Sequence, residues 1–197
     1  MKELKREFGR KAFHLLSLVY LGAYFIMGFP RVLVALGAWF AVVAALETAR
    51  LTSERFNRSL MGFFQGLIRD AEKASFSGIF HTTAGTLAVM LMAGRQPRVV
   101  AAALACLAFG DAAAALAGKA WGRHRIPGGT KSIEGSLACF LVCLGAGAAA
   151  GLPWLPTAGG ALAATIVELL PTTRFFNDNL WMPVAAATAM RALGGCG

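Results

Sequence analysis

Long apolar stretches alternate with short polar segments along the whole chain. Several of these stretches approach the roughly 20 residues that a helix needs to cross a bilayer. They predict seven transmembrane helices, at residues 12–29, 32–50, 79–94, 98–118, 136–152, 158–171 and 179–195. The segments between them are short and contain no linker rich in proline or serine. Residues 1–197 are therefore predicted to form one all-α, polytopic membrane domain.

The segment between the second and third predicted spans has a different pattern. Its apolar residues recur at helical spacing, namely Phe56, Leu60, Phe63, Phe64, Leu67 and Ile68. Its cations, Arg55, Arg58, Arg69 and Lys73, fall elsewhere around the helix. This pattern predicts a helix lying in the plane of the membrane surface. Such a helix either admits a lipid substrate or stiffens the loop.

Composition and charge agree with membrane insertion and indicate its direction. Hydrophobic residues make up 57% of the chain and charged residues only 15%, which excludes an ordinary soluble domain. With the N-terminus in the cytoplasm, only Arg31, Arg95, Arg98 and Arg191 of the 19 lysines and arginines fall outside. The positive-inside rule thus predicts a cell (inner) membrane protein with a cytoplasmic N-terminus and an outer C-terminus. Topology and anionic membrane lipids account for the net charge of +9, without nucleic acid as a partner.

Ionisable residues inside the predicted spans mark a candidate site. Each costs about 2.5–3.5 kcal/mol at the centre of a membrane helix, so each needs a reason. The six candidates are His14, Glu47, His81, Asp111, Glu168 and Asp178. All six fall at the cytoplasmic ends of spans in the predicted topology. This one-sided clustering favours a reaction centre open to the cytosol over a transport path across the membrane.

Most of these residues also have a structural interpretation. Glu47 lies one turn before Arg50 and could simply pair with it. His81 could be a buried histidine bonded to a neighbouring helix, and Asp178 could cap the last helix. Glu168 follows Thr165 by one turn, and an unpaired glutamate there would be unfavourable, which favours function.

Asp111 is the strongest candidate for chemistry. It follows a dozen apolar residues and stands beside a face of small residues, Gly110, Ala114, Gly118 and Gly122. Such a face serves either close helix packing or the approach of a ligand. Packing does not require an aspartate, so the pattern favours a metal or substrate site.

The stretch "GKAWGRHRIPGGTKSIEGS" is a polar, glycine-rich segment between the fourth and fifth predicted spans. Glycines 128, 129 and 135 and the surrounding cations are typical of an anion-binding loop. A helix opening at Gly135 or Ser136 would add its dipole. The Walker A spacing is absent. Since Glu134 would repel a phosphate, we expect Mg²⁺, held by Asp111 and Glu134, to bridge protein and nucleotide.

Five segments together carry a family resemblance. They are "RKAFH" at 10–14, "ETAR" at 47–50, "GDAAAALAGKAWGRH" at 110–124, "KSIEGS" at 131–136, and Glu168 followed by "DNLWMP" at 178–183. In this order they resemble the dolichol kinase, phytol kinase and CTP-dependent diacylglycerol kinase family, whose bacterial members are often labelled phosphatidate cytidylyltransferase-like. The resemblance implies a polytopic membrane enzyme that uses CTP and Mg²⁺ to phosphorylate a lipid alcohol, an isoprenoid alcohol or diacylglycerol.

Residue roles follow from the resemblance together with the local chemistry. The segment 118–136 is the expected CTP-binding loop, and the catalytic residues are expected to be Asp111, Glu168, Asp178 and His14. The expected nucleotide contacts are Lys11, Gly118, Gly122, Arg123, Arg125, Gly128, Gly129, Lys131 and Ser132.

Two other functions remain open on the sequence alone. A phosphatidate cytidylyltransferase would use the same nucleotide, with attack at the α-phosphate rather than the γ-phosphate. A small transporter or a non-catalytic lipid-binding membrane protein would use the polar cluster for passage or binding.

Overall fold

The computed structural model describes residues 17–63 (side chains to 59), 75–126, 131–171 and 176–194. Apart from one isolated β-bridge, the regular structure in these ranges is helical. Eight helices follow one another here: α1 Ser17–Met27, α2 Arg31–Thr52, α3 Glu54–Phe63, α4 Gly78–Ala93, α5 Pro97–Trp121, α6 Ile133–Ala149, α7 Trp154–Leu169 and α8 Asp178–Ala192. The predicted all-α fold class is confirmed.

Each predicted span overlaps one of these helices, and the largest differences in boundary have local causes. Helix α6 begins at Ile133, earlier than the predicted Gly135 or Ser136, because Ser132 is its N-cap. Helix α7 begins at Trp154, four residues before the predicted start. Pro156 does not delay it, since the first turn of a helix has no internal acceptor for the N–H that proline lacks.

Two helices are long and apolar enough to cross a membrane, namely α2 with 22 residues and α5 with 25. Helices α1, α4 and α6 are apolar but shorter, with 11, 16 and 17 residues. The prediction of seven spans stays a prediction.

The outer surface of the helices is rich in large apolar side chains. Val34 of α2, Leu91 of α4, Leu116 of α5, Leu141 of α6 and Leu162 of α7 are all exposed. Conversely, five charged side chains are buried in the interior: Glu47, Arg50, Asp111, Glu168 and Asp178. Large apolar side chains on the outside and charged side chains in the interior are the arrangement expected of helices surrounded by lipid.

Glycines allow the helices to approach one another closely. A Cβ added at Gly85 of α4 would lie 2.9 Å from the Cα of Leu180 in α8. One added at Gly147 of α6 would lie 2.7 Å from the Thr157 side chain of α7. Small residues at such seams are the usual means of helix association in membranes, where burial of apolar surface drives little association.

A buried ion pair fastens the end of α2 to the segment before α4. The Glu47 carboxylate accepts from Arg50 Nη2 at 2.7 Å and from the Ser77 N–H at 2.9 Å. Arg50 also donates to the Ser75 carbonyl at 2.6 Å and to Asn57 Oδ1 of α3 at 3.3 Å. The structural interpretation of Glu47, as the partner of Arg50, is thus confirmed.

The predicted in-plane segment is helical where it is described. Helix α3 covers Glu54–Phe63, whereas residues 64–68 of the prediction lie outside the described residues. His81, the other candidate nearby, is buried, and its Nδ1 lies 2.9 Å from the Ser77 carbonyl oxygen.

Candidate functional site

Helix α5 places Asp111 directly after a π-helical turn. The turn covers Cys106–Gly110, and Asp111 is the first residue of the α-helix that follows. A Cβ at Gly110 would lie 2.7 Å from Cys143 Sγ and 2.8 Å from Met182 Cε, so α6 and α8 close tightly around this point. Asp111 itself is buried, with 7% of its surface exposed. Single π-helical turns inside α-helices occur frequently at functional sites.

Lys131 and Glu168 bring the polar loop and α7 together. Lys131 Nζ lies 3.0 Å from Glu168 Oε1, although the two residues are far apart in the sequence. The second carboxylate oxygen, Glu168 Oε2, is buried without a hydrogen-bond partner. Asp111 and Asp178 act electrostatically on the same carboxylate. The structure therefore gathers three predicted catalytic carboxylates and one predicted phosphate-binding lysine.

Asp178 contributes to the site from the first turn of α8. The helix is capped by Asn177, whose Oδ1 accepts from the Asn179 N–H at 3.0 Å. Asp178 Oδ1 accepts from the same N–H, also at 3.0 Å. Because Asn177 is the N-cap of α8, capping alone does not explain an aspartate at position 178. Its buried carboxylate lies where the positive end of the helix dipole stabilises an anion.

A short pair of extended segments positions Lys131. Arg125 and Ser132 form an antiparallel bridge, and the flanking hydrogen bonds run from Ile126 N–H to the Lys131 carbonyl and from Ile133 N–H to the His124 carbonyl, both at 3.0 Å. We call residues 124–126 and 131–133 the paired segments. They fix the backbone on which Lys131 stands.

Glu134 closes these paired segments rather than facing outward to a ligand. Its Oε1 accepts from the Arg123 and His124 N–H groups at 3.2 and 3.1 Å, and lies 2.7 Å from His124 Nδ1. The residue precedes the predicted span 136–152, and the hydrogen bond with the His124 side chain lowers its pKa to about 2. The carboxylate therefore stays ionised, and this contact persists, until the pH falls towards 2. Its predicted role as a Mg²⁺ ligand is not supported by these contacts.

Ser132, Gly118 and Gly122 form a packing contact at the place where the sequence predicts nucleotide contacts. Ser132 is 3% exposed, and its Oγ accepts from the Gly135 N–H at 3.2 Å. A Cβ at Gly118 or Gly122 would lie 3.1 or 2.8 Å from that same oxygen. The small-residue face of α5 is thus covered by the start of α6 at this level. Close helix packing, the alternative interpretation of this face, explains the two glycines.

We expect Gly135→Ala to destabilise the protein. Its added Cβ would lie 2.7 Å from the Ala114 carbonyl oxygen, and backbone atoms there cannot rotate away. Forcing α5 and α6 apart should cost about 1–3 kcal/mol, measured as a lower Tm in detergent. Gly145→Ala is the matched control in the same helix, because its Cβ meets nothing within 4 Å. That control should be neutral or slightly stabilising, and equal losses in both variants would contradict this packing.

The remaining predicted residues divide into two groups. Arg123 and Arg125 are exposed on or next to the paired segments, where a soluble ligand can reach them. Lys11, His14, Gly128 and Gly129 lie outside the described residues. Among the residues that are described, no three His, Cys, Asp or Glu side chains come together as a self-sufficient metal site.

Comparisons of the chain with protein-family models, with curated proteins and with solved structures find no match.

Proposed function

We propose that this protein is a membrane-embedded kinase that transfers the γ-phosphate of CTP to a lipid alcohol, an isoprenoid alcohol or diacylglycerol. The observation that carries the proposal is the ion pair between Lys131 and the buried Glu168, whose carboxylate is within electrostatic range of the buried Asp111 and Asp178, among helices with an apolar outer surface. Buried carboxylates beside a lysine fit phosphoryl transfer, which needs alignment and charge neutralisation more than covalent chemistry. The segment resemblance supplies CTP as the donor.

Lys131 is the central nucleotide contact in this proposal. Its ammonium group has three N–H donors, and the ion pair with Glu168 leaves donors for phosphate oxygens. Arg123 and Arg125 are exposed close by and add positive charge on the side from which CTP approaches. Ser132, Gly118 and Gly122 position Lys131 through packing and do not contact the nucleotide.

The carboxylates fit Mg²⁺ through a small number of protein ligands. Mg²⁺ is commonly held by one or two carboxylates together with substrate phosphates and water, so a self-sufficient set of three is not required. Glu168 Oε2 is a buried acceptor without a partner, as such a site would provide. Asp111 and Glu168 are the residues that would hold the ion. Bound there, the ion would neutralise charge on the phosphates.

The reaction itself is a direct displacement. The oxygen of the lipid alcohol bonds to the γ-phosphorus, the bond from that phosphorus to the β–γ bridging oxygen breaks, and CDP leaves. The proton of the alcohol goes to a carboxylate of the cluster, for which Asp178 is available at the first turn of α8. Burial of the cluster excludes water, which would otherwise compete with the alcohol as acceptor.

Isotope-labelled CTP tests this proposal directly. Purified protein would be incubated with γ-labelled or α-labelled CTP, Mg²⁺ and a panel of phytol, polyprenol, diacylglycerol and phosphatidate. We expect label from the γ-position in a lipid alcohol. Label from the α-position in phosphatidate would identify a cytidylyltransferase instead. Absence of label with both nucleotides would contradict the proposal and favour a transporter or a lipid-binding protein.

The proposed orientation makes a separate prediction about the two ends of the helices. Trp121, at the end of α5, and Trp154, at the start of α7, are 72% and 79% exposed. In a Cys196→Ser background, Trp121→Cys should react with a membrane-impermeant thiol reagent only in inside-out vesicles. Trp154→Cys should react only in right-side-out vesicles, because the N-terminus is proposed to be cytoplasmic. The reverse pattern would overturn the orientation.

A further inference from the structure

Thr86 in α4 carries a buried hydroxyl group that makes no hydrogen bond. The side chain is 0% exposed, and its Oγ1 has no partner. Thr48, Thr52, Thr83, Thr165 and Thr188 also lie in helices, and each donates to the carbonyl oxygen four residues earlier at 2.8 Å. This local bond is the usual way to satisfy a helical threonine. Thr86 does not form it, although a buried hydroxyl without a partner is unfavourable.

Asn179 in α8 also carries a side-chain oxygen that makes no hydrogen bond. Its Oδ1 is buried without a partner. Its backbone carbonyl lacks an α-helical donor, because residue 183, four positions later, is a proline without an N–H. A Cβ at Gly85 would lie 3.0 Å from that carbonyl oxygen. Since Thr86 directly follows Gly85, Thr86 and Asn179 lie at the same level of the α4–α8 seam.

This seam adjoins the carboxylate cluster. Met182 lies about one turn after Asn179 and packs against Gly110, the residue before Asp111. Asp178, the neighbour of Asn179, acts electrostatically on Glu168. A group bound at the seam would therefore be next to the proposed site of phosphoryl transfer.

We propose that Thr86 and Asn179 bind the hydroxyl group of the lipid acceptor, an inference that rests on the proposed kinase function. A hydroxyl group both donates and accepts, so it matches an amide oxygen that needs a donor and a threonine hydroxyl that needs an acceptor. In the bound alcohol, the hydroxyl group donates to Asn179 Oδ1 and accepts from Thr86 Oγ1. During phosphoryl transfer its hydrogen turns from Asn179 to the carboxylate of the neighbouring Asp178, which takes up the proton. Two residues after Asn179, Trp181 is 41% exposed and stacks on Phe176. This aromatic pair offers an apolar surface for the hydrocarbon chain.

Thr86→Val tests the subsite by removing the hydroxyl group at nearly constant volume. Thermal unfolding of purified protein in detergent would be measured with phytol and with 1,2-dioctanoylglycerol, each against its counterpart lacking the hydroxyl group. We expect the alcohols to raise the Tm of the unaltered protein more than the counterparts do, and this difference to disappear in Thr86→Val. In the kinase assay, KM for the alcohol should rise about two- to tenfold, as for one lost hydrogen bond, while KM for CTP stays unchanged.

Two control variants separate binding from folding. Thr83→Val removes a neighbouring hydroxyl that already bonds to the Ile79 carbonyl and Tyr20, so it should lower Tm yet keep the alcohol effect. Thr86→Ser keeps the hydroxyl and should keep the effect, whereas Thr86→Ala should lose it. An alcohol effect that persists in Thr86→Val, or is absent from the unaltered protein, would overturn the subsite, as would failure of both Thr86→Val and Thr86→Ala to fold.

The thermal readout needs no CTP and thus distinguishes the two proposals. A hydroxyl-dependent Tm rise that vanishes in Thr86→Val, in a protein that transfers no phosphate from CTP, would support the subsite and contradict the kinase. Phosphoryl transfer with an unchanged KM for the alcohol in Thr86→Val would support the kinase and contradict the subsite.

Discussion

Asp111→Asn is expected to abolish phosphoryl transfer while the protein remains folded. The substitution keeps the volume of a buried side chain at the start of the helix after the π-helical turn, and it removes only the negative charge. The carboxylate is proposed to hold Mg²⁺, which would neutralise charge on the phosphates, so its loss should lower kcat by roughly 10²–10³-fold, as for one lost electrostatic contact to the transition state. The rate would be measured with labelled CTP over a range of Mg²⁺ concentrations.

Folding and total charge need separate controls for this variant. Tm and size-exclusion behaviour in detergent should match those of the unaltered protein. Glu54→Gln makes the same change in charge at an exposed position of α3, outside the cluster, and should leave the rate unchanged. If Asp111→Asn turned over at a near-normal rate at every Mg²⁺ concentration, Asp111 would be a packing residue.

Lys131→Ala is expected to impair the use of CTP much more than the use of the lipid. A charge-assisted hydrogen bond to phosphate contributes about 1.5–3 kcal/mol, which corresponds to roughly ten- to a hundredfold in KM for CTP, or in kcat if the contact forms mainly in the transition state. Varying the two substrates separately would measure this, and KM for the lipid should barely change. Tm should also fall, because Glu168 loses its ion-pair partner.

Lys119→Ala is the matched control for Lys131→Ala. Lys119 is an exposed cation of the same polar region, at the end of α5 and nearer the apolar part of the helix. It should affect neither KM by more than a factor of about two, as expected of an exposed charge. Equal and small effects of both substitutions would mean that this region serves only as a charged membrane anchor.

The helices and most of the acidic cluster were predictable because each has a local signal. A long apolar run predicts a helix, however the helices then pack against one another. A charged residue within such a run needs an explanation in any of these arrangements. Asp111, Glu168 and Asp178 stood out for this reason. Their meeting around Lys131 was an inference from a shared membrane face. The 3.0 Å ion pair with Glu168 depends on the paired segments, which carry no comparable sequence signal.

Other features were ambiguous because one sequence pattern serves two purposes. A stripe of glycines permits either close helix packing or approach of a ligand. At Gly118 and Gly122 the start of α6 packs against the stripe. A glutamate beside a glycine-rich loop can bind a metal ion or accept hydrogen bonds from backbone N–H groups. Glu134 accepts from backbone N–H groups. Thr86 gave no signal, since its unusual feature is a hydrogen bond that it does not form.

The ion pair at the end of α2 also bears on the order in which the helices separate during unfolding. Only five of the 22 residues of α2 are buried, and Glu47 and Arg50 are two of them. The other three, Val32, Leu36 and Val43, are apolar and spread along the rest of the helix, so only the polar attachment is concentrated near one terminus. Under mechanical pulling from the opposite terminus, α2 should detach progressively towards Glu47 and Arg50, giving a small early force step before the glycine-packed helices α4 to α8 yield together.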